Sequence, residues 1–174
     1  MNLQLVNLMG ATAIAVADQI YAAATMATGQ SPSLAAALVI IDRYPLVTVE
    51  VLGQYLSLSQ SGAARLVERL VGQDLVTRQR GADKRFVCLQ LTAAGQVRVQ
   101  ELQQAREDAV GQLLTPLTDD EQTQLLSLLT KIASHSPFDT TAEEHLCRFC
   151  NIQLCPLPAC QERVEQWQSA PAPL

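Results

Sequence analysis

Between Thr48 and Thr92 the chain passes through five segments in a fixed order, and this order restricts the fold more than any other feature. Thr48 can cap a short helix from Val49 to Leu56. Ser57-Leu58-Ser59-Gln60-Ser61 is a polar turn, and Ser59 is the expected N-cap of a helix running to about Gln73. On that helix Ala63, Leu66, Val67 and Leu70 recur at helical spacing and face inward, leaving Gln60, Ser61, Arg65, Glu68 and Arg69 outward. Leu75 to Arg80 and Phe86 to Leu91 are β-rich runs around the turn Gly81-Ala82-Asp83-Lys84, so they read as a hairpin. Short helix, polar turn, second helix and charged hairpin predict a winged helix-turn-helix, mainly α with a small β-wing.

Such a helix fits a DNA major groove and offers its N-terminal side chains to base edges. Ser59, Gln60 and Ser61 lie there, and Arg65 and Arg69 follow at i+4 spacing. Arg78 and Arg80 on the first wing strand, with Lys84 and Arg85 at the tip, complete the candidate DNA-binding set. At the tip, Lys84 and Arg85 would meet the strong negative potential of the minor groove. The plainer alternative is a solvated face, with Arg65 and Arg69 paired to Glu68 and Asp74 and with Gln60 and Ser61 serving only as capping residues.

Net charge is −5, which taken alone argues against nucleic acid. The charge is unevenly placed. From Leu56 to Gln90 there are six bases and three acids, a local +3, whereas from Glu101 onward there are four bases and eleven acids, a local −7. The field at the contact surface matters more than the total. Apolar residues make up 48% and aromatics only 4%, which favours packed helices over a β-sandwich.

The flanks read as long helices. Leu3 to about Thr28 is apolar on nearly every face, so it must be buried, most simply against a second subunit. It carries no Lys or Arg before Arg43, and Asp18 interrupts it. A buried helix is therefore expected rather than a signal peptide or membrane span, and the expected location is the cytoplasm. After a break at Gly29 to Ser33, a helix from about Ser33 to Arg43 ends before Pro45. Thr92 caps a helix from Ala93 to about Leu114, and Pro116 breaks it. Thr118 starts another helix to about Ser134, with Asp119, Asp120 and Glu121 in its first turn.

The runs Leu52-Gly53-Gln54-Tyr55-Leu56-Ser57-Leu58-Ser59-Gln60-Ser61, Arg65-Leu66-Val67-Glu68-Arg69-Leu70, Asp83-Lys84-Arg85 and Leu91-Thr92-Ala93-Ala94-Gly95 resemble the MarR family of bacterial transcription regulators. The resemblance covers about residues 3 to 134. It implies a homodimer whose long first and last helices, about 3–28 and 93–134, form the interface, with the winged helix at about 34–92. It implies that Arg85 enters the minor groove, that Asp83 orients the wing, and that the partner is a palindromic double-stranded operator. Repression is the expected sign of regulation, and a small-molecule effector is possible. Asp74 departs from the family pattern, which commonly has glycine or a basic residue there.

Beyond a linker at 135–146 the sequence leaves that pattern. Four of the five cysteines, Cys147, Cys150, Cys155 and Cys160, fall at C-x2-C-x4-C-x4-C. Five cysteines are too few for a disulfide scaffold, and four at this spacing can wrap one centre. Zinc is the favoured ligand, first as a staple that folds the tail and second as a sensor of metal or redox state; an iron–sulfur cluster is the alternative, and a metal-free thiol or disulfide switch a third reading. The segment lacks the glycines of zinc knuckles and has Pro156 and Pro158 instead. His145 is expected beyond the ligand set, and Cys88 is expected to pack inward. Gln161 to Ser169 reads as a short helix carrying Trp167, and the last residues as a frayed tail.

Two other functional classes fit parts of the chain. One is a redox or metal-binding protein using the winged helix for protein contacts. The other binds RNA through its tail, with Phe149 stacked on a base. No Ser/His/Asp set, phosphate loop or paired-carboxylate pocket is legible, so an enzyme is not expected.

Overall fold

A computed structural model of the protein describes residues 1–44, 47–80, 87–135, 149–158, 160 and 162. In chain order the elements are α1 (Leu3–Thr28), α2 (Pro32–Arg43), α3 (Val49–Tyr55), α4 (Gln60–Gly72), β1 (Val76–Arg80), β2 (Val87–Leu91), α5 (Ala93–Leu114) and α6 (Asp119–Ser134), with a 3-10 turn at Ile152–Leu154. The mainly α architecture with an antiparallel two-stranded wing is the expected one. Boundaries differ from expectation by a residue or so. Ser31 takes the N-cap position and Pro32 the first turn of α2, because a proline there loses no needed N–H.

Two hydrophobic cores meet at α2. Leu34, Leu38 and Ile41 join Leu52, Val67 and Leu70 in the core of the winged helix, here called the reader. Ala35, Ala36 and Val39 join Ala24 of α1 and Leu102 of α5 in a second core, here called the stem. These two sets alternate at helical spacing, so α2 is apolar on opposite faces and forms the joint between reader and stem.

The hairpin pairs Val76 with Leu91 and Arg80 with Val87. Strict alternation would expose either Cys88 or Leu89, yet both are buried. The cause is a third backbone segment, since Thr48 bridges Cys88 and the Leu89 N–H donates to the Val47 carbonyl at 2.8 Å. The inward packing expected of Cys88 follows from this cover.

The end of α4 is tied to the start of α5. Asp74 adopts a left-handed φ of 58°, while the Leu75 N–H bonds the Leu70 carbonyl and the Asp74 N–H the Val71 carbonyl. This is a Schellman cap, whose left-handed position favours glycine and tolerates Asp or Asn. The departure at Asp74 is thereby accommodated. The Thr92 hydroxyl donates to the Asp74 carbonyl at 2.6 Å and accepts from the Gly95 N–H at 3.0 Å. The Thr92 N–H donates to the Leu75 carbonyl. A Cβ on Gly95 would strike that carbonyl oxygen.

α1 is little buried by its own chain, which leaves the expected burial against a second subunit untested. Within the single chain only Ala24 and Thr28 of this helix are buried, whereas Leu3, Leu5, Leu8 and Ile14 are exposed. By length and composition α1 could cross a membrane, but it packs along α5 and seats Ala24 in the stem core. No other element of the described chain covers its remaining apolar surface. α6 is similar, with no buried residue and with Leu126, Leu128, Leu129 and Ile132 exposed.

The N-terminus of α6 carries a capping box between Thr118 and Glu121. Hydrogen bonds from the Thr118 backbone and hydroxyl hold the Glu121 carboxyl below its ordinary value of 4.5. A depressed folded value gives stability that is present above the unfolded value and lost as pH falls through the folded one. Helicity should therefore fray on acidification below about 4.5. Circular dichroism of Glu121→Gln should lack that component; an identical acid titration in both proteins would sink the assignment.

Candidate nucleic-acid interface and cysteine segment

The reader presents one face of α4. Ala63, Leu66, Val67 and Leu70 are buried as expected, and Gln60, Ser61, Arg65, Glu68 and Arg69 are exposed. Ser59 caps the helix by accepting from the Gly62 N–H at 3.2 Å, and its hydroxyl lies 3.3 Å from that of Ser61. Capping therefore occupies Ser59, while the Gln60 side chain stands clear of that network. Gln60 lines a groove of about 540 Å³ with Thr48, Val49, Glu50, Gln54 and Val87, between the two helix starts and the tip-side end of β2. The close approach of α3 and α4 needs Gly53, whose added Cβ would come within 3.1 Å of the Ala63 Cβ.

The charges are paired differently from the plain reading. Glu68 binds Arg78 of the wing at 2.8 Å, with both side chains largely exposed. Among the described residues Arg65, Arg69 and Arg80 have no ion pair. Glu68 thus ties the reader helix to the middle of β1 and offsets one of the wing's positive charges. Sequence reasoning paired Glu68 only with the arginines of its own helix, because the hairpin register that places Arg78 opposite it was not legible locally. Asp83, Lys84 and Arg85 lie outside the described residues.

The cysteine segment is docked on the body. Phe149 is 7% exposed and packs in the stem core, with its ring edge-to-face against Tyr21 at 5.7 Å. A ring seated this way is not presented for stacking on a base, which removes the support for tail-mediated RNA binding. The Arg43 guanidinium donates to the Cys150 carbonyl at 2.9 Å, and the Asn151 amide to Glu107 of α5 at 3.3 Å. Arg43 Nε is buried without a hydrogen-bond partner among the described residues. Burial pushes the neighbouring Asp42 carboxyl above its ordinary range, and the Arg43 charge pulls it part of the way back. Asn151 caps the 3-10 turn, which the Cys155 N–H closes onto the Ile152 carbonyl.

Cys155 is buried, and Cys150 and Cys160 are half-buried. Among the described residues no three of His, Cys, Asp and Glu converge into a group able to hold a metal ion. Cys147 and His145 lie outside the described residues, as do Trp167 and nearly all of the expected C-terminal helix.

Residues 30–85 match the model of the MarR family. No curated protein matches the chain. Among solved structures, the reduced form of MarR from E. coli is similar over 71% of this chain and 94% of its own, at 25% identity and a TM-score of 0.60. The Rv1404 protein of Mycobacterium tuberculosis gives a TM-score of 0.70 at 17% identity, covering 79% of this chain and 96% of its own. YusO from Bacillus subtilis gives 0.64 at 19% identity, covering 78% and 99%.

Proposed function

We propose that this chain, whose reader is a MarR-family winged helix, is a homodimeric, sequence-specific DNA-binding repressor of the cytoplasm rather than an enzyme. The observation that carries this reading is α4 itself, buried on one side by the reader core and presenting Gln60, Ser61, Arg65 and Arg69 on the other. A dimer would set two such helices in successive major grooves of a palindromic operator, about one helical turn apart. Arg80 and the tip residues Lys84 and Arg85 would follow the backbone and minor groove, with Asp83 orienting the tip. Exposed apolar residues on α1 and α6 support the dimer, because surface of this kind is rarely left open to water.

The cysteines supply the signal in this reading. Four thiolates at C-x2-C-x4-C-x4-C suit zinc first and an iron–sulfur cluster second, and Arg148 would help offset their charge. Support comes from the spacing and from the docking of the segment at the joint between reader and stem. An effector acting there must bind the two reader orientations unequally.

Duplex binding with salt titration tests the reading. Arg65→Ala should weaken binding by about 1–3 kcal/mol, with a reduced salt slope if the contact is to phosphate. Glu68→Gln should tighten binding several-fold, because it removes a negative charge beside Arg78 and the phosphates. If neither variant alters affinity for any duplex the wild-type protein selects, α4 is not the reader.

A further inference from the structure

The outward face of α4 is not uniform. At about 100° per residue, Ser61, Arg65 and Glu68 lie within about 30° of the direction opposite the buried set, whereas Gln60 and Arg69 lie toward its flanks. Ser61 is short, and its hydroxyl faces that of Ser59 at 3.3 Å. Among the described residues Arg65 is therefore the one cation at the centre of the face, and it has neither an ion pair nor a side-chain hydrogen bond.

Its own helix would not leave it so. Glu68 follows three residues later, at a spacing where opposite charges pair. The same order and spacing does close on α5, where Arg98 donates to Glu101 at 2.7 Å. On α4 the carboxylate turns instead to Arg78 in the middle of β1, at 2.8 Å. We propose that Arg65 reads a guanine in the major groove, and that Arg78 is a positioning residue that holds Glu68 off it. The inference rests on the DNA-binding reading and names what that surface recognises.

Guanine follows from the donors. A guanidinium presents two parallel N–H groups, and only guanine offers a matched pair of acceptors, O6 and N7, on its major-groove edge. A side chain at the centre of the face meets base edges, whereas one at the flank, such as Arg69, meets phosphate. A clamp by Glu68 would act selectively against the reading. A guanine complex would have to break the clamp, whereas a complex with another base would keep it. The whole energy of the clamp would therefore come off the discrimination. With Glu68 on Arg78 that loss is avoided, and the wing takes part in reading a base it does not touch.

The test uses the full chain and a duplex selected by the wild-type protein from a random library, with each half-site position then changed in turn. Changing one G·C pair should weaken wild-type binding about tenfold or more, and Arg65→Ala should bring the four bases there within about twofold. Arg69→Ala should weaken all sequences alike. Arg78→Ala should also weaken every duplex, through its lost charge. In addition it should cut the guanine preference by about three- to fivefold, as Glu68 swings onto Arg65. Adding Glu68→Gln to Arg78→Ala should restore that preference, which a wing that had merely lost its anchor could not do. Arg78→Lys, which keeps the pair, should keep the preference. All these side chains are exposed and none belongs to either core, so the variants should fold. A half-site without such a G·C pair, or a guanine preference that survives Arg65→Ala at every position, overturns the guanine assignment. Full preference in Arg78→Ala, or no recovery in the double variant, overturns the positioning role. Failure to select any duplex overturns the DNA-binding reading instead.

Discussion

Gly95→Ala should be the most damaging single substitution in the reader. The added methyl would enter the Leu75 carbonyl and press on the Leu91 side chain. The Leu75 oxygen cannot retreat freely, because it accepts the Thr92 N–H and follows directly on the left-handed Asp74. Helix propensity favours alanine over glycine by only about 1 kcal/mol. Displacing a backbone carbonyl from a packed junction costs more, and the net loss should be about 3 kcal/mol, a fall of roughly 10 °C in Tm. Thermal unfolding with circular dichroism measures this. Gly111→Ala is the control, because nothing lies within 4 Å of an added Cβ there, and it should be neutral or slightly stabilising. Equal melting of Gly95→Ala and the wild-type protein would mean that α5 does not sit on Leu75 as described.

The same junction shows why so much of the fold could be read from the sequence. Thr48, Ser59, Thr92 and Thr118 each cap the helix that follows, because a short hydroxyl beside an apolar repeat has few other uses. α4 was legible for a second reason. Its inward set is fixed by helical spacing, and its outward set is whatever remains. Less legible were relations across elements. Asp74 looked like a departure until its φ showed a position that needs tolerance of the left-handed region, not a basic side chain. The partner of Glu68 depended on the hairpin register. Nor could spacing show that Phe149, in a polar and cysteine-rich stretch, would turn back into the stem core. Its partners on α1 and α2 lie more than one hundred residues away in sequence, and no periodic pattern encodes such a contact. α1 shows the opposite limit, where all-round apolarity signals burial but not by which chain.

Charge placed on those uncovered faces should separate the subunits of the proposed dimer and abolish most duplex binding with them. Leu8 on α1 and Leu129 on α6 are exposed at 65% and 50% in the single chain. If each packs against a second copy, a carboxylate there must either be buried without a partner or hold the surfaces apart. The double variant Leu8→Glu with Leu129→Glu should therefore run as a monomer in light scattering while keeping its reader folded, because neither residue belongs to the reader or stem core. A monomer presents one α4 to an operator built for two. Its affinity should fall about a hundredfold or more, since the second half-site no longer binds as an intramolecular event. Arg65→Ala differs, because it weakens each half-site while leaving the dimer intact. A variant that stays dimeric and binds like the wild-type protein would place the interface elsewhere, and the apolar faces of α1 and α6 would then need another partner.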